Sequence, residues 1–313
     1  MDVGRNIQSV LHPAGPHAEA VATLSWVLIW GAAAVLFIVL AIAAIAVWAP
    51  KRWRAWTVNT RFIVGGGVVF PVVVLSALLV YTLVLARGIV GPADPSALRI
   101  EVIGEQWWWR VRYLDAGGNL DFVSANELRI PAGAPVELTL KSDDVIHSFW
   151  VPNLAGKIDM IPGRTTRLAV QAQRPGVFRG QCAEYCGGPH AKMAFYVIAE
   201  APQAFAAWRE RQRGIAKDAV TDAARKGRAL FLSHCSTCHT VRGTEAAGTL
   251  GPDLTHLAGR MSLAAGILPN DTVMLARWID SSQQLKPGNL MPSMDVFSAD
   301  ELSALVAYLG SLE

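Results

Sequence analysis

Apolar positions fall into three regimes along this chain. From Ala20 to Pro50 no residue is charged, and Val21 to Trp48 is long enough to cross a bilayer core, which takes about 20 apolar residues of helix. A second uncharged run, Phe62 to Ala86, lies between Arg61 and Arg87 and holds Pro71 and the Gly65-Gly66-Gly67 triplet that a lipid-buried helix tolerates. The pattern predicts an external segment over 1–20 and a transmembrane hairpin over 21–90, with helices over 21–48 and 62–86. Lys51, Arg52, Arg54 and Arg61 occupy the connecting loop without an acidic residue, which keeps that loop cytoplasmic and turns both ends of the hairpin outward. Trp26, Trp48, Trp53, Trp56 and Tyr81 fall where interfacial anchors are common. A cleaved signal peptide is the competing reading of the first run, but the run is too long and follows a polar stretch rather than a short basic one. That polar stretch, with His12, Pro13, Gly15 and His17, reads as a surface loop whose histidines are solvated.

After Gly91-Pro92 the period changes. Leu98 to Val111, Glu127 to Ile130, Val136 to Lys141, Arg167 to Gln171 and Met193 to Ala199 are short alternating or apolar runs, each bounded by turn residues such as Pro131-Ala-Gly133 and Ile161-Pro-Gly-Arg164. They predict an antiparallel β-sandwich or barrel over 96–201. From Pro202 the sequence becomes helical, with a helical linker over 202–220 and an all-α domain over 221–313. Thr221 to His234 and Asn270 to Ser282 read as helices. A final helix opens with a capping box of Ser298 and Glu301 and presents Leu302, Leu305, Val306 and Leu309 on one face. No internal repeat is present.

Composition supports three folding units rather than one. The 313 residues exceed one ordinary domain, and 52% hydrophobic against 17% charged residues places part of the chain in lipid. A net charge of +3 gives no concentrated basic face for nucleic acid. The four cysteines form two tight pairs, Cys182 with Cys186 and Cys235 with Cys238. Two short-loop disulfides or one zinc site are the plain readings of such pairs, and the neighbouring residues argue against both.

In the run Cys182-Ala-Glu-Tyr-Cys186-Gly-Gly-Pro-His190-Ala-Lys-Met193, two thiols, an imidazole and a thioether fall close together. These are soft or borderline ligands that suit copper better than magnesium or calcium. His147, in Asp143-Asp-Val-Ile-His-Ser-Phe-Trp150, sits at the end of a predicted strand that a sandwich can bring to the same loop. A tetrahedral zinc site would not need Met193, and a mononuclear blue-copper site would use only one of the cysteines.

Both segments resemble the binuclear copper domain of cytochrome c oxidase subunit II. The resemblance implies that Cys182 and Cys186 bridge two coppers, that His147 and His190 each bind one, that Met193 is a weak ligand and that Glu184 binds through its backbone carbonyl. It also implies that the Glu184 side chain reaches a magnesium ion at the boundary with subunit I. In Gly104-Glu-Gln-Trp-Trp-Trp109, Trp107 holds the position of the tryptophan through which electrons pass onto the copper. Trp108 and Trp109 read as strand packing residues.

Cys235-Ser-Thr-Cys238-His239 is the attachment signature of a c-type haem: two thiols add to the vinyl groups and the histidine binds iron. The leading helix carries Gly227 and Phe231, and Gly251-Pro-Asp-Leu254 follows, much as in small soluble cytochromes c. By that resemblance Pro252 turns a carbonyl toward the His239 ring. Met291, in Lys286-Pro-Gly-Asn-Leu-Met291-Pro, is the sixth ligand, with Met294 its rival and Met261 and Met274 weaker ones. His234 and His256 are needed by neither site.

Taken over nearly the whole chain, the sequence resembles subunit II of caa-type oxidases. The resemblance implies a multidomain protein: a two-helix hairpin, a cupredoxin-like sandwich and a cytochrome c domain, on the outer face of a bacterial cytoplasmic membrane. Its implied partners are subunits I and III, an external cytochrome c and the lipid bilayer. Electrons would pass from cytochrome c through haem c and the copper pair to haem a in subunit I, where oxygen is reduced and protons are translocated. One departure stands out, because residues 51–90 contain no acidic side chain to feed a proton channel. An electron-receiving subunit of a nitric oxide reductase and a copper-delivery or redox-sensing module are the rival readings. A quinol-oxidase subunit is disfavoured, since such chains lack the copper ligands.

Overall fold

The computed structural model describes residues 7–89 and 96–313. The predicted break at Gly91-Pro92 lies outside the described residues. Two units result, one formed by Glu19–Pro92 and the other by Met1–Ala18 with Ala93–Glu313.

In the first unit, α1 spans Pro16–Trp48, the short α2 spans Lys51–Arg54, and α3 over Thr60–Val64 runs through a π-helical segment, Gly65–Val69, into α4 over Phe70–Ile89. The register widens to π where three glycines meet Pro71, whose missing N–H removes a rung from the ladder. Both spans are longer than their uncharged cores, because helical geometry continues into polar ends that can be solvated. Their large apolar side chains are exposed all round, Leu36 and Phe37 among them, as befits helices whose solvent is lipid.

In the second unit, ten strands form two five-stranded sheets. These are β1 (Leu98–Glu105), β2 (Trp108–Leu114), β3 (Leu120–Ala125), β4 (Glu127–Pro131), β5 (Val136–Ser142), β6 (His147–Trp150), β7 (Ile158–Met160), β8 (Thr166–Val170), β9 (Gly176–Cys182) and β10 (Ala194–Glu200). The sheet orders are β3-β2-β1-β5-β8 and β4-β10-β9-β6-β7, and the β1–β5 and β4–β10 pairs are parallel within otherwise antiparallel sheets. Alternation decides which side faces the core: Trp109, Val111 and Tyr113 of β2 point inward, as do Val136, Leu138 and Leu140 of β5.

Three sequence expectations change here. Leu98 to Val111 is not one strand but a hairpin, folded at Gln106-Trp107, whose peptide bond is cis. No Pro, Asn or Asp marks the turn, and Gly104 lies within β1 rather than at the bend. His147 opens its own strand rather than ending one. The segment around Pro13 is no free loop: the Ala14 N–H donates to the Asn153 carbonyl, its carbonyl accepts from the Gln173 N–H, and the His17 ring lies 2.9 Å from the Ala169 carbonyl.

Helix α5 (Pro202–Arg213) is more than a linker, since Phe205 and Trp208 bury themselves against Tyr113 and Phe122 of the sandwich. Arg209 and Arg213 fix it further on Asp121. Beyond it lie α6 (Asp222–His234), the two-residue strands β11 (Ser262–Leu263) and β12 (Leu268–Pro269), α7 (Thr272–Leu285) and α8 (Ala299–Leu309). Thr221 caps α6 by accepting from the Ala224 N–H, and the Ser298–Glu301 capping box opens α8. Helices α6 and α8 cross at Gly227, where a β-carbon would sit 2.0 Å from the Ala304 carbonyl oxygen. Phe231, Leu275, Ile279, Leu305 and Tyr308 form the core around that crossing.

Candidate functional site

Pairing between β6 and β9 sets Phe149 opposite Cys182, and so brings His147 beside the end of β9. The chain then loops back through a 3-10 turn, His190–Lys192, into β10. The Cys182 and Cys186 sulfurs lie 3.7 Å apart. His147 Nδ1 is 3.8 Å from Cys182 Sγ, and the Glu184 carbonyl is 3.2 Å from it. His190 Nδ1 is 3.4 Å and Met193 Sδ 3.8 Å from Cys186 Sγ. All six residues named from the sequence therefore meet around the two sulfurs, while the cysteines, His147 and Met193 are buried. Among the described residues, only His147, Cys182 and Cys186 bring three histidine, cysteine or carboxylate ligand atoms together.

The two thiols polarise each other. Cys186, with lesser help from His147, holds Cys182 well below the ordinary thiol range, while Cys182 and burial push Cys186 up. The pair thus favours one thiolate beside one thiol, and a bound metal would release the remaining proton. Burial works against charge on His147, but its bonds to Cys182 and Asp144 outweigh it and raise the ring. His147 Nε2 donates to Asp144 Oδ1 at 2.8 Å, which leaves Nδ1 facing the sulfurs.

The β1–β2 turn covers this loop. Trp107 Nε1 and Gln106 Nε2 both donate to the Cys186 carbonyl, at 2.9 and 2.8 Å, and the Gln106 N–H donates to Asp144 Oδ2 at 2.6 Å. On its other side the turn forms one wall of a crevice of about 510 Å³, with Trp107 and Trp108 facing Cys235, Cys238, His239 and Met291. Trp108, on the outward face of β2, also lines the crevice, with the Arg110 guanidinium 4.8 Å from its ring centre. Trp109 is fully buried, as expected.

His239 Nδ1 donates to the Pro252 carbonyl at 2.8 Å, leaving Nε2 as the atom free to bind a metal. Burial lowers the ring, which favours the neutral ligand form. Gly251 lies against it, where a β-carbon would come within 2.6 Å of His239 Cε1. The Met291 carbonyl accepts from Ser282 Oγ and Gln283 Nε2, which pins its loop. Met294 also reaches the crevice while packing on the core. Met261 is held by its backbone N–H on the Glu127 carboxylate, and Met274 packs on the core. His256 is occupied at both ring nitrogens, and exposed His234 sits at the crevice rim against Phe297. Sequence reasoning missed Gln106 and Lys286, whose partners lie far away in the chain, and Asp144, which is only three residues from His147 but reads as one of two ordinary turn acids.

The soft donor set suits copper, and a cysteine pair, a histidine and a methionine around one hollow suit haem c. A sandwich of this kind joined to a cytochrome-like helical domain, on a chain with two membrane-length helices, defines a membrane-anchored electron-transfer subunit. Residues 117–200 match the sequence profile of the cytochrome c oxidase subunit II periplasmic domain, and residues 224–313 that of cytochrome c. Cytochrome c oxidase subunit 2 of Alkalihalophilus pseudofirmus is 38% identical over 78% of this chain and 71% of its own length. The Bacillus subtilis subunit 2 is 31% identical over 78% of this chain and 73% of its own. The periplasmic domain of subunit II of cytochrome oxidase of Bradyrhizobium japonicum is 32% identical over 40% of this chain and 97% of that domain, with a TM-score of 0.36.

The chain belongs to the cytochrome c oxidase subunit II family, in the form that carries a cytochrome c domain. It is a component of a haem-copper oxidase complex, with copper and haem c as its redox groups. The family favours this reading over the nitric oxide reductase and copper-delivery readings.

Proposed function

We propose that the copper is a dinuclear site bridged by Cys182 and Cys186. His147 and His190 ligate one metal each, Met193 is a weak ligand, and Glu184 contributes its carbonyl. Haem c would join covalently to Cys235 and Cys238, with His239 and Met291 on the iron. Bound there, the two groups supply one-electron carriers in series between an external cytochrome c and haem a of subunit I.

The chain's own part is to hold, orient and exclude water. The buried strands behind Cys182 and Met193 resist rearrangement when charge changes, and low rearrangement favours fast transfer. Asp144 orients His147, and the Pro252 carbonyl orients His239. Trp107 stands between the crevice and the Cys186 carbonyl, so the residue proposed to pass electrons touches both regions. That double contact carries the reading best.

Subunits I and III are the proposed neighbours within the complex. The Glu184 side chain, half exposed and 3.6 Å from Lys157 Nζ, would leave that lysine to share a magnesium ion with oxygens from subunit I. The two spans cross the membrane with the copper and haem domains outside, as the basic 51–61 loop requires. Quantifying metal and haem in the purified subunit tests the reading: it predicts two coppers and one covalent haem per chain. A single exchangeable copper would overturn it.

A further inference from the structure

Lys286 is a lysine where a lysine is costly. Its side chain is only 3% exposed, and burial, with Lys192 nearby, pushes its ammonium down to about 7. It lies in the wall of the haem crevice without being one of the attachment residues. Its Nζ instead leaves the haem domain and donates to the Trp107 carbonyl at 2.6 Å, while also donating to the Ala264 carbonyl at 3.1 Å.

A second lysine makes the return contact. Lys192 belongs to the 3-10 turn between His190 and Met193, and its Nζ donates to the carbonyl of Leu285, the neighbour of Lys286, at 2.7 Å. Each domain thus sends one lysine into the other's backbone beside its own ligand loop. The haem-domain turn beside Lys286 is strained at two alanines, Ala264 and Ala265, whose φ angles are left-handed at 55° and 63°. That turn aims the Ala264 carbonyl at Lys286 and the Ala265 carbonyl at the Ala194 N–H, the first residue of β10, at 2.9 Å.

We propose that Lys286 and Lys192 form a reciprocal clasp that sets the separation of the haem crevice from the copper loop through Trp107, with Lys286 the dominant positioning residue. The proposal rests on the two-centre reading above. Electron tunnelling falls exponentially with distance, so small slippage at this junction slows transfer without touching a ligand. Arg110 on the Thr249 carbonyl, Arg129 on the Gly259 carbonyl and the Met261 N–H on Glu127 also join the two domains, but none of them touches Trp107 or the His190–Met193 loop.

The test uses the full chain loaded with haem and copper, with electrons injected photochemically into the haem and arrival followed at the copper absorbance. Lys286→Met should slow transfer severalfold, because each added ångström of separation weakens tunnelling. Haem optical and copper resonance spectra should remain those of the parent. Lys192→Met should cost less, and the double variant no more than Lys286→Met, because both break one clasp. The magnetic relaxation that the haem iron induces in the copper signal should weaken in parallel, a change that general destabilisation would not produce.

Parent-like transfer in a fully loaded Lys286→Met chain would overturn the clasp. If that variant fails to load, acylation of the parent decides: Lys286 must resist a reagent that modifies exposed Lys217, and its ready modification would overturn the proposal. A resonance signal from an isolated copper in the parent would instead sink the two-centre reading, so the two failures are distinguishable.

Discussion

The copper loop and the haem crevice solve the same problem, holding a redox group still, in opposite ways. Around Cys182 and Cys186 the donor atoms already stand 3.2–3.8 Å from the sulfurs, at the edge of the same core that packs Trp109, Phe149 and Phe195. The haem region instead is a hollow. Cys238 is exposed, and two of the crevice's walls, Trp107 and Trp108, come from the other domain. One site is assembled by the fold, while the other is a cradle whose interior the bound group completes.

If the copper loop is a single unit, breaking it should have the largest effect. Cys186→Ser should abolish the paired copper and lower oxygen consumption by more than the roughly 10–100-fold that changes behind a ligand cost, while leaving the haem spectrum intact. Asp144→Asn keeps every ligand and removes the carboxylate behind His147. Copper affinity should fall by about 10–100-fold in competition with a chelator, again with the haem unaffected. Equal loss at both centres in either variant would contradict their structural independence.

The converse perturbation belongs to the haem side. Gly227→Ala drives a methyl into the Ala304 carbonyl where α6 crosses α8, and should destabilise the haem domain by about 1–3 kcal/mol in denaturant melts, with the copper signal unchanged. The smallest effect concerns α5, which is tied to the sandwich through Asp121. Arg213 and Arg209 hold that carboxyl below its ordinary value. Because the folded value is the lower one, the stabilisation is complete above the unfolded-state value and is lost as pH falls through the folded one. Thermal melts should therefore show the parent losing its advantage over Asp121→Asn on acidification below pH ~4.

How much of this was legible in the sequence follows the range of the contacts. Cysteines four residues apart, or two with a following histidine, carry their chemistry in local spacing, and so do the capping residues Thr221 and Ser298. The membrane-length runs were legible for the same reason, although their ends were not, because helix continues into polar residues. The hairpin at Gln106-Trp107 was hidden because no Pro, Asn or Asp marks the turn. Trp108 alternates with Trp109 like any strand residue, and only the haem domain beside it makes its outward face a wall. The segment around Pro13 and helix α5 look polar enough to be solvated, yet each is held by contacts over a hundred or nearly a hundred residues away, such as Asn153 Nδ2 on the His12 carbonyl and Arg209 on Asp121. Lys286 reads as part of a methionine loop until its partner, 179 residues distant, is seen.

The central claim is that Cys182 and Cys186 bridge two coppers sharing one electron, and electron paramagnetic resonance of the oxidised subunit tests it most directly. The account predicts a copper hyperfine pattern from one unpaired electron spread equally over two nuclei, alongside the haem signal. A pattern from a single copper nucleus would contradict it.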